Sequence, residues 1–356
     1  MARIELTGVS HSYGALEALQ KFDLTWEDGG RYAILGPSGC GKTTMLNIMS
    51  GIIQPTNGTI SFDGQDVTAL ETADRNIAQV FQFPVIYNTM RVWDNLAFPL
   101  VCRDTPKKEI KAKVEEVADT LSLTELLDKP ANRLTADQKQ LISLGRGLVR
   151  DDVAAVLMDE PLTVIDPDLK FRLRRKLKEI NEKYRTTLIY VTHDQNEAMT
   201  FAQKIMVMDA GKIVQMGTPS ELFDKPSTTF VGYFIGAPAM NLFEAKVIGE
   251  HKVELDGHQI IVEPSLSKLN AGSLRLGVRA ENMKLLNKKP KAGSNSLPIQ
   301  VNRVDDFGNY KLVVGSCCGS DVKVKVDRDQ ELGSGSHFVS FDSNKACVYM
   351  NEYIVN

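Results

Sequence analysis

Residues 36–44 read Gly-Pro-Ser-Gly-Cys-Gly-Lys-Thr-Thr and follow the apolar run Arg31–Leu35. The pattern is G-x-x-x-x-G-K-[ST], which needs a strand before it and a helix after it. Each position has a physical task. Across Gly36, Pro37, Ser38, Gly39, Cys40 and Gly41, the glycines let backbone N–H groups turn inward and approach a phosphate closely. The helix expected from Lys42 to about Ser50 aims its N-terminal dipole at the same anion. Lys42 neutralises charge on the β- and γ-phosphates, and Thr43, followed by Thr44, offers a hydroxyl to Mg²⁺. These nine residues predict ATP binding.

The surrounding pattern fits. Short apolar runs at Ala155–Met158, Thr187–Thr192 and Lys204–Met208 read as further buried strands. Helical segments lie between the later ones, at Lys170–Lys183 and Asn196–Ala202. Buried strands separated by helices predict a parallel sheet with helices on both faces. The stretch Lys107–Leu127 is polar on one side and apolar at Ile110, Val114, Val117 and Leu121, and reads as a helical insertion.

The pattern changes around Gly232–Asn241. Nine short β-like runs follow between Leu242 and Tyr349, punctuated by Gly, Asn, Asp and Ser. They predict a separate all-β domain of small-barrel character, with a boundary near residue 236. The expected architecture is therefore an α/β domain over 1–236, with a helical insertion at about 84–150, and an OB-like β domain over 237–356.

Met158-Asp159-Glu160 ends the Ala155–Met158 run. Asp159 is placed to hold Mg²⁺ through its water shell, and Glu160 to polarise an attacking water. Two acids after a strand also suit a helix N-cap, so this pair alone does not decide the chemistry.

With five further stations in order, the chain resembles the ATP-binding subunit of an ABC transporter along essentially its whole length. Tyr13, in Ser12-Tyr13-Gly14, resembles the aromatic that stacks on adenine. Gln82 resembles the glutamine that senses Mg²⁺ and the attacking water. Leu134-Thr135-Ala136-Asp137-Gln138 stands where the family signature stands. Asp166, in Thr163-Val164-Ile165-Asp166, resembles the loop that crosses to a partner subunit. His193 resembles the switch histidine that contacts the γ-phosphate. Alone, each has a bland alternative: Tyr13 as packing, Gln82 as a surface residue, His193 as a capping group.

The β-rich end fits too. Gly232-Tyr233-Phe234-Ile235-Gly236 and Leu276-Gly277-Val278-Arg279-Ala280-Glu281 resemble the C-terminal barrel of importer ATPases for sugars, polyols and glycerol phosphodiesters. Asn76–Tyr87 and Leu134–Gln138 narrow the resemblance to glycerol importers. It implies an ATPase at the cytoplasmic face of the inner membrane, peripheral to two permease subunits. An extracytoplasmic solute-binding protein is implied indirectly. The segment Phe83–Leu100 resembles the groove that receives a permease helix.

One departure stands out. The family signature usually reads Leu-Ser-Gly-Gly-Gln, and each copy caps the ATP held by the other subunit. Ala136 adds a methyl where the backbone should come close, and Asp137 brings a carboxylate near a phosphate. Leu141 replaces the usual arginine. This predicts unequal sites and a second, non-identical ATPase subunit; the alternative is that Thr-Ala-Asp is tolerated and both sites fire.

Composition excludes several classes. A net charge of −3 gives no global case for nucleic-acid binding. No apolar run approaches the roughly 18 residues of a membrane span, and no secretory signal is apparent. The five cysteines lack metal-ligand spacing and read as reduced thiols of a cytosolic protein; the vicinal Cys317–Cys318 pair is the one curiosity among them. The rival is a soluble ABC ATPase of DNA repair or translation. It would carry two cassettes or a long coiled coil, and neither is visible. A small-molecule kinase would lack Gln82, the signature position and His193 in this order.

Overall fold

The computed structural model describes residues 2–150, 153–163, 165–267, 273–288, 290, 294–333 and 335–355. Val164, within the expected crossing loop, lies outside them. The chain divides into two compact units, Met1–Pro219 and Ser220–Asn356.

The first unit holds two sheets. In the larger, the strands run in the order Lys212–Gly217, Lys204–Asp209, Arg31–Leu35, Leu188–Thr192, Val156–Asp159 and Ala78–Val80. The last five are mutually parallel, and Lys212–Gly217 is an antiparallel edge. Val156–Asp159 and Leu188–Thr192 are buried at every position, as a sheet covered on both faces requires. The helices Lys42–Ser50, Pro167–Tyr184 and Gln195–Phe201 lie close to their expected bounds.

Register decides where the chemistry falls. Leu35 pairs with Thr192, Asp159 with Val191, and Val80 with Met158. The four strands therefore end together. The residues that leave them (the phosphate loop, Glu160, Gln82 and His193) share one carboxyl edge, where open parallel sheets bind their ligands.

The second sheet of this unit is antiparallel, in the order Leu16–Trp26, Ile4–Tyr13, Asn57–Phe62 and Gln65–Asp66. The expectation of one parallel sheet did not include it. Its strands alternate buried and half-exposed positions, so they read less clearly than fully apolar runs. Buried Ile4, Leu6, Leu19, Trp26, Ile60 and Phe62 join the core under the larger sheet.

The insertion comprises the helices Val92–Val101, Lys107–Thr120 and Ala136–Leu148. Ile110, Val114, Val117 and Leu121 are buried, as their spacing predicts. Among the described residues, no helix is long and apolar enough to cross a membrane.

Among the described residues, the second unit is built on two antiparallel sheets of six and five strands around a core that includes Phe243, Leu276, Leu297, Val324 and Val348. It is barrel-like, and the expected strand runs are all present. The division falls at Pro219/Ser220 rather than near residue 236. The reason lies in the short helices Pro219–Asp224 and Thr229–Phe234. Buried Arg279 donates to Phe223 O at 2.9 Å and to Gly232 O at 2.8 Å. The Tyr349 hydroxyl donates to Pro226 O at 3.2 Å. These bonds tie residues 220–236 to the β-rich unit. All five cysteines carry free thiols.

Candidate functional site

A cleft of about 790 Å³ opens at the carboxyl edge of the larger sheet. Ser38, Gly39, Gly41, Lys42, Thr43 and Thr44 form one wall. Gly36 begins the loop where no side chain fits: a Cβ there would meet the Met208 carbonyl at 2.4 Å. Gly41 has φ 104°, in the region that glycine alone adopts easily, and N-caps the helix Lys42–Ser50. The following helical N–H groups thus point into the cleft.

Lys42 is buried, and its ammonium donates to Gly36 O and Pro37 O, each at 2.9 Å. It is held over the loop as a fixed positive charge. The Cys40 thiol lies 3.9 Å from it, and burial pushes that thiol up from its ordinary pKa. The Thr43 hydroxyl donates to Asp159 Oδ2 at 2.9 Å.

Glu160 is the hub of the opposite wall. Gln82 Nε2 donates to its Oε2 at 3.3 Å. His193 Nδ1 lies 3.1 Å from its Oε1. Thr163 Oγ1 donates to the Glu160 carbonyl at 3.0 Å. Glu160 has φ 45°, a left-handed conformation costing about 1 kcal/mol for a residue with a Cβ. Such strain concentrates where a side chain must be aimed.

Tyr13 lines the cleft at the end of the first strand, half exposed, and meets His11 edge-on at 4.5 Å. The structure thus brings Tyr13, the loop, Gln82, Glu160 and His193 together, with Asp159 behind Thr43. Leu16, Thr163, Ala210 and Gly211 also line the cleft and were missed by the sequence reading. Thr163 was within sight, three residues past Glu160. Ala210-Gly211 carries a hairpin signal between two apolar runs, with φ 44° and 78°.

Two predicted stations lie elsewhere. Thr135 N-caps the helix Ala136–Leu148, and Gln138 Oε1 accepts from its N–H at 3.2 Å. The Thr135 hydroxyl donates to the Asp137 carboxylate. Ala136 opens the helix, and Leu134 and Leu141 are buried. Asp166 N-caps the helix Pro167–Tyr184 and accepts from Asp168 N at 3.0 Å. Neither segment lines the cleft of its own chain.

The donor set fits a hard cation. Burial, ahead of the neighbouring Glu160 charge, pushes the Asp159 carboxyl above its ordinary pKa, the Thr43 hydroxyl lies beside it, and Gln82 adds an amide on the same cleft. Among the described residues, no cluster of three or more His, Cys, Asp or Glu can hold a metal by itself. That combination suits Mg²⁺ arriving with nucleotide phosphates, its usual mode.

The family model for "ABC transporter" matches residues 19–163. The chain is 36% identical over 340 residues to the sn-glycerol-3-phosphate import ATP-binding protein UgpC of Pectobacterium atrosepticum, spanning 94% of each. It is 42% identical over 283 residues to UgpC of Cereibacter sphaeroides, covering 80% of this chain and 79% of that one. The chain belongs to the ABC transporter family. It is an ATP-binding subunit and an ATPase. Among solved structures, cbiO1 of Clostridium perfringens, part of an ABC transporter complex, is 26% identical. It covers 62% of this chain and 90% of its own, with a TM-score of 0.58. An ATP-binding cassette in its ADP conformation, 24% identical, shares the fold over 64% of this chain and 96% of its own, with a TM-score of 0.55.

Proposed function

We propose that this chain is the ATP-hydrolysing motor of a membrane importer for sn-glycerol 3-phosphate or a close polyol relative. It would act peripherally at the cytoplasmic face of the inner membrane. One observation carries the motor reading: Gln82 and His193 both reach the Glu160 carboxylate, across from the phosphate loop. A module that merely held nucleotide would not need that arrangement. The relatives' names support the glycerol-phosphate class. Free glycerol is the second reading, favoured by the residues of Asn76–Tyr87 and Leu134–Gln138.

In the proposed mechanism Tyr13 stacks on adenine, and the loop N–H groups and Lys42 hold the phosphates. Glu160 polarises a water that attacks the γ-phosphorus in line, and Gln82 orients that water. His193 donates toward the γ-phosphate oxygens and reports their loss. Thr43, Asp159 and Gln82 would hold Mg²⁺, which when bound would supply charge neutralisation on the β- and γ-phosphates.

Leu134–Gln138 and Asp166 would complete the site of a second ATPase subunit. The Thr135 hydroxyl is engaged by Asp137, which supports a weakened signature. Two permease subunits would receive the motion. A cleft lined by Met90, Trp93, Ala97, Phe98, Val101 and Ile110 suits a permease helix laid in a groove. Phe83 and Val85 are exposed beside that segment, while Leu96 and Leu100 are buried in the core.

The test is purification of the intact complex, then ATPase and uptake assays against sn-glycerol 3-phosphate, glycerol, other polyols and sugars. Copurification with multi-span membrane proteins and stimulation by sn-glycerol 3-phosphate is expected. Stimulation by glycerol alone selects the second reading, and stimulation by an unrelated solute ends both. Equal turnover at both sites of a purified homodimer ends the non-identical pairing.

A further inference from the structure

Glu197 lies one turn past His193, in the helix Gln195–Phe201, and only 5% of it is exposed. A buried carboxylate is costly unless it is paired and hydrogen-bonded. Two elements meet that need, the strand Leu188–Thr192 and the helix Pro167–Tyr184. The Tyr190 hydroxyl donates to Glu197 Oε2 at 2.9 Å, and the Thr192 hydroxyl donates to the same oxygen at 2.8 Å. Lys170 Nζ and the Arg174 guanidinium flank Oε1 at 3.5 and 3.6 Å. Burial, then the Glu197 charge, raises the Tyr190 pKa well above its ordinary value, so the phenol remains a donor.

The Thr192 hydroxyl also accepts from Asp194 N at 3.0 Å, since a hydroxyl can donate and accept at once. His193 sits between these two residues. A chain of hydrogen bonds from the Asp194 N–H through Thr192 to Glu197 therefore closes the turn around it. The imidazole itself stays free to reach Glu160 at 3.1 Å. On the other side, Lys170 and Arg174 belong to the first two turns of the helix Pro167–Tyr184, which Asp166 caps.

We propose that Glu197 is a positioning residue that fixes the His193 turn to the helix headed by Asp166, so that the two move as one body. The inference rests on the role given to His193 above. Apolar packing would serve stability as well as a buried ion cluster does. What the charges add is a defined angle between turn and helix. The histidine that meets the γ-phosphate and the segment that meets the partner subunit are thereby joined through one carboxylate.

The test uses the full chain in its complex and reads kcat, nucleotide Kd and Tm separately. Glu197→Gln keeps size and an acceptor for Tyr190 and Thr192 but loses the charge facing Lys170 and Arg174. It should lower kcat about 10- to 100-fold, the range for a misplaced catalytic group, with Kd near wild type. Combined with His193→Ala, it should add little to the loss from His193→Ala alone. Thr192→Val should reproduce the defect and Thr192→Ser should restore activity. Losses that multiply in the double variant overturn the inference while leaving the histidine's role intact. So does a kcat loss matched by weaker nucleotide binding and lower Tm. If His193→Ala leaves kcat unchanged, the histidine's role falls, and this inference with it.

Discussion

Replacing Asp137 by asparagine should let this ATPase turn over at lower ATP concentrations. The half-buried carboxylate lies in the first turn of the helix Ala136–Leu148 and takes the Thr135 hydroxyl as its donor. In the closed pair proposed above, that turn would face the partner's γ-phosphate. Two unit charges 4 Å apart repel by about 1 kcal/mol in water and about 4 kcal/mol at an effective dielectric of 20. Asp137 is half-buried, so the repulsion is at least the lower figure, and about 1 kcal/mol is a factor of roughly five. Asp137→Asn keeps the shape and an acceptor for Thr135 and removes only the charge. The ATP concentration at half-maximal phosphate release should fall about fivefold at low ionic strength, and the gain should shrink as salt screens the pair. Stability should move the other way. An acidic group in the first helical turn stabilises the helix by about 0.3–1 kcal/mol, so the variant should melt slightly lower. Phosphate release, measured against ATP and protein concentration at low and high salt, reads the first effect, and thermal melting the second. Identical ATP curves at low salt would refute the reasoning. So would a gain that high salt leaves untouched, since that cannot come from charge.

Other outcomes follow from the same geometry. Glu160→Gln should lower kcat at least about 100-fold while nucleotide still binds, as loss of a general base does; single-turnover kinetics with labelled ATP checks it. Asp159→Asn should abolish turnover yet raise the Tm of the nucleotide-free chain at neutral pH. The folded-state pKa of Asp159 lies above 3.8, so its contribution favours the fold at low pH and is lost as pH rises through that raised value. The stabilising effect of the variant should therefore shrink as pH falls toward 3.8. Arg279→Met leaves the carbonyls of Phe223, Gly232 and Ile235 without their buried donor. It should destabilise the Ser220–Asn356 unit by about 1–3 kcal/mol, seen by calorimetry, with nucleotide affinity unchanged.

Much of the site was legible because its chemistry is local. The phosphate loop needs adjacent glycines, a lysine and threonines, and those stand together in the chain. Glu160 was legible because it directly follows a short apolar strand, and the family resemblance picked out Gln82 and His193; parallel register then brings the ends of their strands together. What the sequence hid was non-local. The hairpin Ile4–Tyr13/Leu16–Trp26 alternates its burial and carries no continuous apolar run, so it did not read as sheet. Its tip nonetheless supplies Leu16 and Glu17 to the cleft. Thr163 needed the fold to turn it back onto Glu160. Residues 220–236 sit next to the ATPase strands in sequence but are bonded to Arg279 and Tyr349, dozens of residues later. Glu197 carried no signal of its own in the sequence; only the fold places Tyr190, Thr192, Lys170 and Arg174 around it.

The central claim is that hydrolysis at this chain's own phosphate-loop site drives the permease. The most direct measurement follows phosphate release and solute uptake together in the reconstituted complex, comparing wild type with Glu160→Gln. The account predicts that the substitution stops both in parallel while ATP stays bound. Uptake that continues at the wild-type rate without hydrolysis at this site would contradict it.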